Sequence, residues 1–211
     1  AFVCLVGIWE LAGAFARMGI TLAVPPLYVG AIGIVTCAWW LGSEGTLFAL
    51  YITVFVCAAW RLLDRRQELR MSDVVSTTFT AVYVPFLASF VVLMLAAWQN
   101  PWVFVVFELM VIANDTGGWA AGVLFGKHPM APALSPKKSW EGFVGSALTA
   151  VSVGTVGLWW LGAAWWWGII AGVSIAFVGT MGDLTESMIK RESGLKDMSQ
   201  ILPGHGGVLD R

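Results

Sequence analysis

The sequence predicts an all-α, polytopic integral membrane protein, because of its composition, its long uncharged runs and the placement of its few charges. Of its 211 residues, 58% are hydrophobic and 12% are charged, and a soluble domain of this size does not bury that much apolar surface. The net charge of −1 identifies no partner, since the position of each charge matters more than their sum in a membrane protein. We expect a lipid bilayer as the surroundings and no nucleic acid partner.

Seven apolar segments predict about seven transmembrane helices, since a helix of about 20 residues crosses the hydrocarbon layer. Pro25 and Pro26 should bend or delay the second helix. The fifth segment is short, which leaves open its extension through Asp115 into a cavity. The seven segments are 2–14, 20–41, 46–60, 74–98, 102–113, 143–160 and 165–181.

The twelve Lys and Arg residues predict the orientation of these helices. All of them follow the first, third, fifth or seventh segment, whereas the intervening loops 42–45, 99–101 and 161–164 contain none. Lys and Arg are retained on the cytoplasmic side of a membrane. We therefore expect cytoplasmic polar loops and a single membrane-embedded domain over 1–211, cut from a longer protein at both ends.

The segment 182–211 concentrates polar residues after a long uncharged run. Asp183, Glu186, Ser187 and Lys190 are spaced by three, four and seven residues, which places them on one face of a helix that continues the seventh segment. A solvated helix end is the simpler interpretation of this stripe. It fits Asp183 poorly, because a carboxylate at the end of an apolar helix is costly unless a cation or donor satisfies it.

Residues 203–211, Pro-Gly-His-Gly-Gly-Val-Leu-Asp-Arg, are too rich in glycine for a helix and predict a tight loop. The backbone N–H groups of such a loop can approach an anion, although a turn before another helix is the alternative. Two carboxylates among several cations suit Mg²⁺ that bridges a polyphosphate. The charged residues concerned are Asp183, Lys190, Arg191, Lys196, Asp197, Asp210 and Arg211.

A second polar segment, 114–142, follows the fifth span. Glu108 within that span should face the protein interior, as a structural hydrogen-bond partner or as a ligand. Asp115 at its polar end is the better functional candidate. Lys137 and Lys138 either determine topology or bind phosphate as point charges. A Walker A loop is excluded, because His128 stands where that motif needs a hydroxyl residue.

Two stretches carry recognisable motifs. The C-terminal one contains Gly182-Asp183-Leu184-x-Glu186-Ser187-x-x-Lys190-Arg191, Lys196-Asp197 and Pro203-Gly204-His205-Gly206-Gly207-x-x-Asp210-Arg211. The middle one contains Asn114-Asp115-Thr116-Gly117-Gly118-Trp119, Phe125-Gly126-Lys127-His128 and Leu134-Ser135-Pro136-Lys137-Lys138-Ser139-Trp140-Glu141-Gly142. Both closely resemble the phosphatidate cytidylyltransferase family, also called CDP-diacylglycerol synthase. The first half of the chain agrees with that family only in its hydrophobic spans.

The resemblance implies a multi-pass enzyme of the inner (cytoplasmic) membrane, active on the cytoplasmic face and dimeric. It joins CTP and phosphatidic acid into CDP-diacylglycerol and pyrophosphate, with Mg²⁺ and often a monovalent cation such as K⁺. The implied metal ligands are Asp183, Asp210 and Asp115, and the implied catalytic residues are Asp183, Asp210, Lys190 and Arg191. The implied substrate-binding residues are Asp115, Ser135, Lys137, Lys138, Ser187, Lys196, Asp197, His205, Gly206, Gly207 and Arg211.

Two other functions remain open from the sequence. A transporter with polar residues facing inward is compatible with many spans, but the polar groups here concentrate at one membrane face. A membrane nucleotidyl- or phosphotransferase that acts on another lipid phosphate is the closer alternative.

Overall fold

The computed structural model describes residues 1–64, 70–98, 100–199, 201 and 206–210. It is built mainly from helices, with one small sheet between two of them. In chain order the elements are α1 (Phe2–Arg17), α2 (Val24–Trp40), α3 (Gly42–Leu63), α4 (Met71–Ala81), a π-helical segment (Val82–Phe86), α5 (Leu87–Trp98), α6 (Pro101–Phe125), β1 (Pro129–Ala131), β2 (Ser135–Ser139), α7 (Trp140–Trp160) and α8 (Trp166–Glu192).

Each predicted apolar segment coincides with a helix or with a continuous helical run. Within the described ranges, five of these are long and apolar enough to cross a membrane: Gly42–Leu63, Met71–Trp98, Pro101–Phe125, Trp140–Trp160 and Trp166–Glu192. α1 has 16 residues and α2 has 17, which is fewer than the about 20 of a typical crossing. The apolar helices indicate a multi-pass membrane protein, and the number of seven crossings stays a prediction.

Prolines lie in the first turn of α2 and inside the π-helical segment. α2 begins at Val24 with a proline in its first turn, where the missing N–H costs no hydrogen bond, so Pro25 and Pro26 delay this helix as predicted. Pro85 lies inside the π-helical segment. Because proline has no N–H, it cannot donate to the preceding turn of this helix. Further along, the carbonyl of Phe86 accepts a hydrogen bond from Ser89 Oγ at 2.6 Å.

The fifth segment extends beyond Asp115, since α6 continues to Phe125. Two hydroxyl groups of α7 bind this extension: Ser146 Oγ donates to the Asn114 carbonyl at 2.8 Å and Thr149 Oγ1 to the Ala113 carbonyl at 2.7 Å. Contacts with α7 thus outweigh the low helix propensity of the glycines at 117 and 118. The polar connection between α6 and α7 is the short β1–β2 hairpin, with Pro129 opposite Ser139 and Ala131 opposite Ser135.

The chain forms two compact units. The first unit comprises Ala1–Gln99 and Ile189–Arg211, and the second comprises Asn100–Met188. The core of the first unit contains fully buried residues of α1 and α2, such as Ile8, Leu11, Leu27 and Ile34. Ile189 of α8 and Met198, which follows α8, complete it. The prediction of a single membrane domain stays a prediction.

A buried ion pair joins α3 to α4 within the first unit. Arg61 Nη2 donates to Asp73 Oδ2, and both side chains are almost fully buried. The other oxygen of Asp73 accepts a hydrogen bond from the Thr21 backbone N–H at 3.0 Å. One carboxylate therefore holds three separate stretches of chain together.

Replacing Asp73 by Asn should destabilise the first unit by about 1–3 kcal/mol, because the buried Arg61 would lose its buried carboxylate partner and retain the more exposed Asp64, at 3.3 Å. The change conserves side-chain size, so packing is kept. Thermal unfolding in detergent measures the effect, with Glu44→Gln as the control because Glu44 is exposed. Equal unfolding temperatures for the two variants would show that this pair does not stabilise the protein.

The second unit depends on small residues where α6 and α7 run antiparallel. A Cβ atom added to Gly118 would collide with Ser146 Oγ, and one added to Gly145 would lie 2.7 Å from the Gly117 carbonyl oxygen. Such close approach of helices is typical of membrane proteins, where apolar surface alone does not favour protein contacts over lipid contacts. Glycine therefore sets the distance between these two helices.

Gly145→Ala should destabilise the second unit by about 1–3 kcal/mol, since the added methyl group pushes α6 and α7 apart. Gly122→Ala is the matched control on α6, because its added Cβ would lie 3.7 Å or more from other atoms and alanine favours helix. The unfolding temperatures of both variants in detergent test this difference, and a loss of stability in Gly122→Ala alone would contradict it.

Candidate active site

The second unit contains a polar cavity of about 280 Å³, near the lower end of the size range of ligand pockets. Five elements contribute to it: α6, β1, β2, α7 and α8. The predicted site residues that line it are Asp115, Lys137, Lys138 and Asp183, together with Asn114, Ser139 and Ser146. Motifs that are up to about 70 residues apart in the sequence thus meet in one place.

A lysine and an aspartate form the ion pair of this cavity. Lys138 Nζ lies 2.5 Å from Asp183 Oδ2, so a cation lies next to this carboxylate at the polar end of α8. The Lys138 side chain is 27% exposed and that of Asp183 is 62% exposed. Because both groups are reachable from outside, an anion can compete with Asp183 for the lysine, and a cation with Lys138 for the carboxylate.

Two polar residues of α6, Asn114 and Asp115, line the same cavity. Asp115 is exposed, and its Oδ1 accepts a hydrogen bond from Asn114 Nδ2 at 3.1 Å. Asn114 itself is 7% exposed, and its Oδ1 has no hydrogen-bond partner within the described residues. A buried amide oxygen without a donor is uncommon and calls for a ligand or an ion.

Glu141 organises the hairpin that carries the two lysines. Its Oε2 accepts hydrogen bonds from the backbone N–H groups of Lys127 and His128, both at 3.2 Å, and its Oε1 lies 2.5 Å from His128 Nδ1. Ser139 Oγ accepts from the Gly142 N–H at 3.1 Å and caps α7, a usual role for serine. These contacts fix both ends of the hairpin next to Lys138.

In the first unit, Asp210 is tied into the C-terminal segment. Its Oδ2 accepts hydrogen bonds from the N–H groups of Gly207 at 2.7 Å and Met198 at 2.9 Å, and its Oδ1 accepts from Lys190 Nζ at 2.9 Å. The Asp210 side chain is only 8% exposed. The carboxylate therefore has protein donors on both oxygens, and its predicted role as a metal ligand stays a prediction.

Residues 206–210, which we call the C-terminal loop, also contact Glu10 of α1. The N–H groups of Val208 and Leu209 each donate to the Glu10 carboxylate at 2.8 Å. The sequence motifs do not include Glu10. The available signal was a lone carboxylate in an otherwise apolar helix, which is costly without partners.

The remaining predicted residues are more scattered. Ser135 pairs with Ala131 in the hairpin, Ser187 is half-buried on α8, and Arg191, Lys196 and Asp197 are exposed. Gly206 has a φ of 88° and takes part in the C-terminal loop. His205 and Arg211 lie outside the described residues, as do Pro203 and Gly204.

The metal site with three carboxylates stays a prediction. Within each unit, the described Asp, Glu, His and Cys side chains form no group of three that could hold a metal ion. Asp115 and Asp183 line one cavity in the second unit, whereas Asp210 belongs to the first unit.

Comparison with known proteins gives a consistent result over the whole chain. A family model described as the cytidylyltransferase family matches residues 1–211. A phosphatidate cytidylyltransferase of Mycobacterium bovis is 40% identical over 225 residues, which cover 100% of this chain and 73% of the relative. That of Mycobacterium leprae is 35% identical over 96% of this chain and 70% of the relative. That of Haemophilus influenzae is 46% identical over 109 residues, covering 49% of this chain and 38% of the relative.

Proposed function

The chain belongs to the cytidylyltransferase family, and we propose that it transfers a cytidylyl group from CTP to phosphatidic acid in phospholipid biosynthesis. The products would be CDP-diacylglycerol and pyrophosphate. The structural observation that supports this proposal is the cavity in which Lys138 meets Asp183 beside Lys137 and Asp115. Cations and carboxylates in one accessible cavity suit a substrate that carries several phosphates.

The reaction needs charge neutralisation more than a strong base. An oxygen of the phosphatidic acid phosphate attacks the α-phosphorus of CTP, and the bond from that phosphorus to the pyrophosphate oxygen breaks. The attacking oxygen is already anionic near neutral pH, so no proton has to be removed from it. Lysines that bring the two anions together and stabilise the departing pyrophosphate supply the main contribution.

The cavity fits Mg²⁺ through its oxygen atoms. Asp115 and Asp183 would hold the ion, and Asn114, which also lines the cavity, has a buried Oδ1 without a hydrogen-bond partner among the described residues. Hard cations of this kind prefer carboxylate and carbonyl oxygens. When bound, Mg²⁺ would neutralise charge on the triphosphate. Involvement of Asp210 and of a monovalent cation such as K⁺ are further proposals from the resemblance.

We also propose the membrane placement that the charges predict. The Lys and Arg residues follow alternate helices, which favours a cytoplasmic location of the polar connections. With CTP as the substrate, a site on the cytoplasmic face of the inner membrane has direct access to it. Homodimer formation stays a prediction, which chemical crosslinking in membranes can test.

Purified protein in detergent with CTP, Mg²⁺ and phosphatidic acid should release pyrophosphate and form CDP-diacylglycerol. Parallel reactions with a polyprenyl phosphate, and with no acceptor, measure acceptor choice. Turnover with the polyprenyl phosphate alone would show a different lipid phosphotransferase. Substrate uptake into liposomes without pyrophosphate release would instead indicate a transporter.

Asp183→Asn should lower kcat/KM by about 100-fold or more, and Lys138→Gln by about 10- to 100-fold, because each removes a charge that acts on the reacting phosphates. The control is Arg17→Gln, which removes an exposed cation at the end of α1 and should change kcat/KM by less than about 2-fold. Unfolding temperatures verify that all three variants fold. Turnover at the unmodified level in Asp183→Asn would refute the role assigned to this cavity.

A further inference from the structure

Glu10 is a buried carboxylate in the middle of the apolar helix α1. It is 1% exposed, between Trp9 and Leu11 in the sequence. Removing a carboxylate from water is strongly unfavourable unless donors replace the lost solvent. Whatever binds Glu10 is therefore held firmly, because losing those donors would leave the carboxylate unsatisfied.

Among the described residues, the hydrogen-bond partners of Glu10 are Ser199, Val208 and Leu209, which all follow α8 in the chain. Oε1 accepts hydrogen bonds from Ser199 Oγ at 2.6 Å and from the Val208 N–H at 2.8 Å. Oε2 accepts from the Leu209 N–H at 2.8 Å. These partners are 189 to 199 residues away along the chain. A single side chain of α1 thus fixes a stretch at the other end of the first unit.

The C-terminal loop is held by carboxylates on two sides. Glu10 takes the N–H groups of Val208 and Leu209, and Asp210 takes that of Gly207. Gly207 lies directly against Glu10, since an added Cβ would be 2.7 Å from Glu10 Cδ and nearer still to Oε1. Three consecutive N–H groups are therefore bound to protein carboxylates, and Asp210 keeps its contact with Lys190 at 2.9 Å.

We propose that Glu10 is a positioning residue for the C-terminal loop, and that it keeps Asp210 and Lys190 in the geometry that cytidylyl transfer requires. The inference rests on the proposed function, since it assigns a purpose to the placement of two predicted catalytic residues. Glu10 contacts the loop backbone and acts through it. Its hydrogen bonds to the N–H groups of Val208 and Leu209 attach the loop to α1.

Glu10→Gln tests this role, because glutamine has the same size but presents an NH₂ group where a backbone donor expects an oxygen. Amide hydrogen exchange of the peptide that contains residues 206–210 should accelerate by about 10-fold or more, with exchange in α2 and α3 unchanged. In the same preparation kcat/KM should fall by about 10- to 100-fold. A role limited to general stability would raise exchange throughout the first unit instead.

Two further variants make the test specific. Gly207→Ala should lower kcat/KM, because the added methyl group collides with Glu10. The double variant Gly207→Ala with Glu10→Asp should have a kcat/KM at least about 3-fold higher than Gly207→Ala alone, because aspartate is shorter by one methylene group. Thr80→Val is the control, because Thr80 is equally buried in the first unit but donates to the Ser76 carbonyl of its own helix. If Glu10→Gln does not fold, Ser199→Ala removes one donor to Glu10 and should give the same local change in smaller measure.

The outcomes separate the two proposals. Unchanged exchange at residues 206–210 in folded Glu10→Gln would overturn the anchoring role. Faster local exchange with undiminished kcat/KM would overturn the positioning role. An unmodified protein that makes no CDP-diacylglycerol would overturn the proposed function and, with it, the link to catalysis, while the exchange measurement would still decide whether Glu10 anchors the loop.

Discussion

A carboxylate among apolar helices must find donors within the protein, and this constraint organises the first unit. Glu10, Asp73 and Asp210 each accept hydrogen bonds from groups in different stretches of chain. Apolar contacts alone distinguish poorly between a protein neighbour and a lipid chain. The three carboxylates do distinguish, because a lipid chain offers them no hydrogen-bond donor. They decide which segments of this unit lie together, and the aliphatic core fills the space between.

The second unit reaches its arrangement by a different route. Small residues at 117, 118 and 145 let α6 and α7 approach until side-chain hydroxyls of α7 reach backbone carbonyls of α6. This close packing turns the Asn114–Asp115 pair toward the hairpin that carries Lys138. The cavity is thus a consequence of helix packing, and its charged groups are placed by rigid elements. Such support is what a site that binds several phosphates needs.

The helices were predictable from the sequence because most of them correspond to a long uncharged run, and Asp183 stood out as a carboxylate at the end of such a run. Two features were not predictable in the same way. α6 extends to Phe125 through a polar, glycine-containing stretch that resembles a loop, since the contacts that stabilise it come from α7. Glu10 finds its donors almost 200 residues away, and no local pattern shows which backbone groups will meet it. Long-range polar contacts are the part of this fold that spacing does not reveal.

The glycine-rich loop illustrates how the chemistry changes once its contacts are known. Spacing and composition favoured a cradle of backbone N–H groups for a substrate anion. In the structure, the N–H groups of Gly207, Val208 and Leu209 instead donate to the protein's own carboxylates, Asp210 and Glu10. Under the proposed function, these three N–H groups are therefore not the phosphate cradle, and the lysine side chains of the cavity are the better candidates for phosphate recognition. In the cavity, a phosphate that takes Lys138 away from Asp183 exchanges one ion pair for another, which limits the net cost of desolvation. The same exchange leaves the oxygens of Asp183 open to a cation, so binding of the anionic substrate and of a divalent ion would favour each other.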